Sequence, residues 1–482
     1  MLKNILKKIR TLPPTEAINL LIIISPFLFY YWFIKTKLFS IEFPDAYAYL
    51  WRQPFNFSYL TGRSLFQRIV YTVCGNDPDI IASVQLLFFL ATALILYFLL
   101  RNIPVKNKVL YNLFLSVFIT FVFSSYTLNI SAVGVSPEPI FLCLLLIFPA
   151  VLFQWPEKYR GTALLAGGIP LILSKNVAPY FVMLLLILYF LTNLKSKPKL
   201  KWFYLLLAAL SISSHLIIHT FDHSVHINAA NNIFKRVFPD PVKTRRFHEK
   251  YGMPVGPFVK KAAGRNVNIF LFDNRRIYDI NEKTRSFELV PDKYGFTDWI
   301  EKKGMNAYLR FILLDDFKST YVQFRKAFNR LFHGNAIRYN INFLLYVMQS
   351  GKDLLKKLSG GNPKRAVGFI GFDSLEWIRN ILSKLGFGVV ELVLVFIVIG
   401  FVLLMMLPFH SLLKLSVGML ASSLPLFFIS YFGDAMELPR HVYPAFVLLI
   451  FAGVLFIFSL FHIAINVYKN SKFKFDKKNQ IL

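Results

Sequence analysis

Seven side chains next to long apolar runs carry the chemistry this sequence offers: Asp45, Tyr49, Glu138, Lys175, Glu437, Arg440 and His441. Asp45 stands in Pro44-Asp45-Ala46-Tyr47-Ala48-Tyr49-Leu50, just beyond the first apolar run. A carboxylate beside apolar surface gains basicity, which a general base needs to take a proton from a hydroxyl. The same Asp is also a good helix N-cap, and the two roles are compatible. Arg440 and His441 open the last apolar run, with Asp434 and Glu437 just before them. A guanidinium at that depth can clamp a phosphate bidentately, and an imidazole adds a donor whose charge depends on its surroundings. An Arg440–Glu437 ion pair closing the turn is the plainer reading. Glu138 lies between Pro137 and Pro139, held rigidly either to orient a hydroxyl, to support Asp45, or simply to start a helix. Lys175 is the one charge in a break between two apolar runs, placed to meet a phosphate or to snorkel to water.

The elements that must position these groups are membrane helices. Of 482 residues, 55% are hydrophobic and 17% aromatic, with 52 Phe and a mean hydropathy of +0.50. Disorder is excluded, and an ordinary soluble domain does not fit. Ten apolar runs are read as spans, at 18–34, 80–100, 109–126, 139–154, 162–173, 177–193, 202–219, 387–407, 415–431 and 442–467. The fifth and sixth form a hairpin broken at Ser174-Lys175-Asn176 and Pro179. No cleavable signal is seen, so the first run is expected to be retained.

Basic residues near the span ends set the orientation. One set of short connections holds 19 of them and the other seven: Lys35, Lys37, Arg52, Arg63, Arg68, Lys175 and Arg440. Both termini are therefore expected in the cytoplasm of a multi-pass plasma-membrane (inner-membrane) protein. The first loop (35–79), the turn with Glu138, the segment 220–386 and the last turn then face outward. The chain divides into a membrane module (1–219), an outer domain (220–386) and a second membrane module with a basic tail (387–482).

The outer segment carries 29 basic and 15 acidic residues, so it accounts for much of the net charge of +29 without implying nucleic acid. Residues 268–272 read as a strand with 276–280 as its partner, making the domain mixed α/β. Tyr308, Phe311, Ile312, Phe317, Tyr321, Phe324, Phe328 and Phe332 recur at helical spacing among Arg and Lys. That pattern suits amphipathic helices lying in the headgroup layer, with membrane lipids as partners. His215, His219, His223 and His226 share a helix face, but interfacial packing or substrate hydrogen bonding suits them better than a metal, since there is no HExxH. Cys74 and Cys143 are too few for a disulfide framework or Cys-based zinc site. No P-loop or dinucleotide motif is present, and no cofactor is expected.

The layout resembles the GT-C superfamily of integral membrane glycosyltransferases, in particular bacterial members related to protein O-mannosyltransferases and aminoarabinose transferases. The resemblance rests on Pro44-Asp45-Ala46-x-x-Tyr49-Leu50, Ser136-Pro137-Glu138-Pro139 and Glu437-Leu438-Pro439-Arg440-His441, together with 232–241 and Lys250-Tyr251-Gly252-Met253-Pro254. It implies an all-α polytopic fold of about ten spans. It also implies sugar transfer on the outer face from a polyprenyl-phosphate donor to a glycan, glycolipid or protein acceptor. Asp45 matches the family's first-loop acid, and Arg440 with His441 match the location of its phosphate ligands, with Lys175 a further cation. Glu138, Glu437 and Tyr49 would position substrate. Near Asp45 only Glu42 offers a second acid, and Asp77-Pro78-Asp79 lies at the far end of the loop. The expectation is therefore metal-independent, inverting transfer. The rivals are a pyrophosphate-linked glycan polymerase or ligase and a lipid-glycan flippase; nearly uncharged span interiors argue against transport.

Overall fold

The computed structural model describes residues 13–35, 65–123 apart from 104 and 106, 138–193, 201–264 apart from 222, 276–280, 287–333 apart from 293, 388–433 apart from 408 and 409, and 438–479. Each apolar run lies on a helix. These are α1 (Pro14–Lys35), α3 (Pro78–Leu100), α4 (Lys108–Phe123), α5 (Glu138–Gln154), α6 (Glu157–Ile172), α7 (Ala178–Thr192), α8 (Trp202–Phe221), α14 (Val389–Met406), α15 (Ser411–Gly433) and α16 (Leu438–Asn479). A short α2 (Leu65–Val73) precedes α3. Among the described residues, four helical stretches are long and apolar enough to cross a membrane: Pro78–Leu100, Val389–Met406, Ser411–Gly433 and Val442–Ile465. The chain is a helical membrane protein.

Helix α3 shows why the chain folds locally as it does. Asp77 caps it, its carboxylate accepting from the Asp79 and Ile80 amides at 2.8 and 3.2 Å, and Pro78 supplies a preset first turn. Asp77 thus serves the helix start. Glycine lets helices close on one another: a Cβ on Gly168 of α6 would meet Leu207 of α8 at 2.7 Å and Phe148 of α5 at 3.0 Å.

Polar contacts at helix ends fix which ends meet. Gln154, the last residue of α5, donates to the Ser411 carbonyl at the start of α15 (2.9 Å). Lys414, one turn along α15, donates to Asn193, the residue after α7 (2.5 Å). Helices α5 and α7 therefore run antiparallel to α15. Arg101, just past α3, pairs with Glu16 in the first turn of α1, and Tyr111 near the start of α4 donates to the Leu100 carbonyl at 3.0 Å. The Tyr111 ring lies 5.6 Å from that of Phe458, and His462 meets His410 at 3.0 Å, so the distal part of α16 reaches the same end. The opposite end gathers the starts of α5, α7 and α16 and the close of α15.

The segment after α8 docks on that opposite end. It comprises α9 (His223–Arg236), α10 (Pro241–Tyr251), α11 (Pro257–Ala262), strands β1 (Arg276–Ile280) and β2 (Phe287–Pro291), α12 (296–315, with π-helical turns at Ile300–Gly304 and Phe311–Asp315) and α13 (Phe317–His333). Helix α10 has both ends written in sequence. Asp240 accepts from the Val242 and Lys243 amides at its start, and Gly252 at φ 65° closes it with its amide on the His248 carbonyl (3.0 Å). Phe234, Phe238, Phe258 and Phe296 form an aromatic core with centroids 4.9–5.9 Å apart.

Strand β1, expected at 276–280, pairs antiparallel with β2, Tyr278 facing Leu289; its expected partner at 268–272 lies outside the described residues. One expectation changes. Helix α13 packs its aromatic face on the bundle rather than resting in lipid alone. Phe328 lies 4.6 Å from Phe427 and 5.1 Å from Phe446, and Phe324 lies 5.4 Å from Phe427. Arg325 binds Glu391 at 2.6 Å. Burying the rings edge-to-face on Phe427 of α15 and tilted on Phe446 of α16 adds aromatic contacts that lipid tails do not offer.

Asp315 joins α10 to α12 by accepting from Lys250 and from the Tyr251 hydroxyl. These bonds, Lys250 first, hold its carboxyl below the usual value of 3.8. A lowered folded pKa means its stabilisation is present above about 3.8 and lost as pH falls through the lower folded value. Asp315→Asn should lower stability by about 1 kcal/mol or less at neutral pH. In thermal unfolding of the purified chain, the gap between wild type and variant should close towards acid; a gap independent of pH would show that this ion pair does not set it.

Candidate functional site

Glu138 is the first residue of α5, where a carboxylate suits the helix dipole. Lys175 sits in the turn between α6 and α7, where the chain cannot continue one helix through Ser174-Lys175-Asn176 and on to Pro179. The two side chains meet: Lys175 Nζ lies 3.1 Å from Glu138 Oε1 and 5.5 Å from the centre of the Phe141 ring. Glu138 is 2% exposed and the Lys175 side chain 13%. Lys175 is thus paired with Glu138 in a largely buried contact that its sequence reading, as a cation placed to meet a phosphate, did not include. The pair joins the start of α5 to the α6–α7 turn.

The connection after α1 returns to the same turn. The Phe66 amide, at the start of α2, donates to the Leu173 carbonyl at 3.1 Å, two residues before Lys175. Helix α2 is pinned in turn to α3 by Gln85 donating to the Tyr71 hydroxyl at 2.7 Å, both buried. Asp45 and Tyr49, in the loop that leads into α2, lie outside the described residues, as does Glu437. Arg440 and His441 occupy the first turn of α16, but their side chains lie outside the described residues. The backbone of that turn belongs to the end where the domain docks, because Phe446 packs against Phe328 and Phe427.

Arg236 is the functional candidate to which the sequence reading assigned no role. It closes α9, where a cation suits the helix C-terminus. Its guanidinium donates to the Tyr308 hydroxyl (3.0 Å) and the Tyr431 carbonyl (2.6 Å), and lies 4.3 and 5.0 Å from the Tyr431 and Phe432 ring centres. Tyr431 and Phe432 end α15, directly before the turn that leads to Arg440. Burial pushes the Tyr308 phenol up, while the Arg236 charge pulls it down. The sequence signal was a basic pair, Lys235-Arg236, at a helix stop before Phe238-Pro239.

Among the histidines, His215 Nδ1 lies 2.7 Å from the Tyr180 hydroxyl with the rings edge to face, linking α8 to the start of α7. The side chains of His219 and His223 lie outside the described residues. Among the described residues no group of three His, Cys, Asp or Glu is placed to hold a metal ion.

One end of the bundle therefore gathers the exit of the first loop, the Glu138–Lys175 pair, His215, Arg236 and the first turn of α16. The fold defines a helical membrane protein with a docked domain over that end. Comparison with family models, with characterised proteins and with solved structures yields no match to the chain.

Lys175→Met should cost about 3 kcal/mol by stripping the cation from a buried carboxylate, and Glu138→Gln in the same chain should recover most of it. Thermal unfolding of wild type, both single variants and the double variant measures the coupling. Additive losses would mean that the two charges do not act as a pair.

Proposed function

We propose that this protein is a membrane glycosyltransferase of GT-C type, moving a sugar from a polyprenyl phosphate to a glycan, glycolipid or protein acceptor at the outer surface of the plasma membrane. The ten helices α1, α3–α8 and α14–α16 cross the bilayer, with both termini cytoplasmic, and the domain over 220–386 caps the outer end. Asp45 deprotonates the acceptor hydroxyl as its oxygen attacks the anomeric carbon. The bond from that carbon to the phosphate oxygen breaks with inversion, and the electron pair leaves on the phosphate. Arg440 and His441 stabilise that charge as it grows. The Glu138–Lys175 pair sets the α6–α7 turn against which the first loop closes, so Glu138 and Lys175 position the site more than they grip the donor. Tyr49 and Glu437 orient the sugar. No metal is required where cations already meet the phosphate.

The observation that supports this reading is the meeting of the first loop's exit, through Phe66 and Leu173, with the turn carrying Lys175, at the end where α16 begins. A pyrophosphate-using ligase would share that end, and donor identity separates the two. A flippase fits less well, because the Asp, Glu, Lys and Arg residues of the ten helices stand at or near helix ends within the apolar parts described.

The test is to incubate the purified chain with a panel of prenyl-phosphate and prenyl-pyrophosphate sugars and to follow sugar release. Asp45→Asn should cut turnover by about 100-fold or more while donor affinity stays near wild type. Arg440→Ala should weaken donor binding by about tenfold. Full turnover in Asp45→Asn would remove Asp45 as the base, and consumption of pyrophosphate donors alone would move the protein to the ligase class.

A further inference from the structure

At the other end of the bundle two cations flank one turn of α7. Arg160, in the first turn of α6, donates from Nε and Nη2 to the Trp155 carbonyl (3.1 and 2.8 Å) and from Nη1 to the Tyr189 hydroxyl (3.0 Å). Tyr189 and Asn193 stand one turn apart along α7, joined by Asn193 Nδ2 donating to the Tyr189 carbonyl at 2.7 Å. Asn193 Oδ1 accepts from Lys414, which is only 9% exposed. Tyr189 and Asn193 thus link Arg160 to Lys414 through a short chain of contacts.

Among the described residues the oxygens that bind these two cations are neutral: a carbonyl, a phenol and an amide. Two acids of this end are engaged elsewhere. Glu157 takes Lys201 at 2.7 Å, Glu16 takes Arg101, and Asp476 belongs to the C-terminal tail. The connection after Asn193 adds Lys195, Lys197 and Lys199 and no acid. Burying an ammonium beside a guanidinium with only neutral partners is costly, and an anion that bridges them removes that cost. A guanidinium has five donors and an ammonium three, and the contacts above occupy only part of them.

The depth of the pair points to the kind of anion. Trp202 and Tyr159, 66% and 57% exposed, stand at the same end, where amphipathic rings mark the headgroup level. Leu205 and Leu191, 55% and 50% exposed, continue the surface towards the apolar middle. We propose that Arg160 and Lys414 form a phosphate-binding site at the headgroup level, opposite the candidate transfer site and independent of that reaction. Its ligand is a phosphate ester or inorganic phosphate, and an anionic phospholipid of the adjacent leaflet presents such a group at this depth.

Native mass spectrometry of the full chain, delipidated and titrated with phosphatidylglycerol or phosphatidylcholine of equal chain length, reads the site directly. Wild type should retain phosphatidylglycerol about tenfold more tightly, and Arg160→Gln and Lys414→Gln should each erase most of that preference. Lys414→Arg keeps the charge and should keep the preference, which guards against a variant that merely misfolds. Inorganic phosphate is the second probe. If it displaces phosphatidylglycerol from wild type, or raises the melting temperature only when both cations are present, the same site is confirmed with free phosphate as an alternative source. Equal retention of the two lipids by wild type, or an unchanged preference in both Gln variants, would overturn the proposal.

Discussion

A chain that crosses hydrocarbon must satisfy its peptide groups within its own helices, and it cannot leave charge along the way. That constraint organises this molecule. Glu16, Arg101, Glu138, Arg160, Glu391 and Lys414 all stand at or beside helix ends, and among the described residues the buried middle of the helices carries no charge. Because charge is expelled to two ends, each end becomes a dense polar layer. The bonds made there, such as Gln154 to Ser411 and Lys175 to Glu138, fix how the helices run relative to one another.

The docked domain depends on the same sorting. Its attachment combines an aromatic face, through Phe324 and Phe328, with a directional clamp, Arg236 on the Tyr431 carbonyl. The aromatic contact supplies area and the guanidinium supplies registry. Both fall at the end of the bundle where α16 begins, so the domain is anchored beside the helix that carries Arg440 and His441. The Glu138–Lys175 pair does the same for the first loop, since that loop ends on the turn that holds Lys175. A transfer site placed there would be framed by three elements tied to one another by buried polar bonds.

Much of the bundle was legible in the sequence because a long apolar run has few alternatives in water or lipid, and Asp77-Pro78 or Asp240-Pro241 with Gly252 mark helix limits chemically. The break at Lys175 was legible for the same reason. Its partner was not: an ion pair between residues 37 apart depends on helix order, which no local pattern encodes. Likewise the spacing of Phe324 and Phe328 shows an apolar face but not what covers it, so lipid was expected where α15 and α16 stand. No role for Arg236 was legible in the sequence because its acceptor lies 195 residues away. The strand at 276–280 was read correctly, while its pairing with 287–291 was not foreseen, since pairing is a choice between neighbours on either side.

The central claim is that the end bearing Glu138, Lys175 and Arg236 faces outward and the end bearing Arg160 and Lys414 faces the cytoplasm. Both native cysteines, Cys74 and Cys143, are buried, so single introduced cysteines can be read against a low background. Val242 in α10, 72% exposed, and Tyr159 in α6, 57% exposed, probe the two ends. A membrane-impermeant maleimide applied to intact cells should label Val242→Cys at once and Tyr159→Cys only after permeabilisation. The reverse pattern would contradict the account, for it would put every proposed reactive group on the wrong side of the membrane.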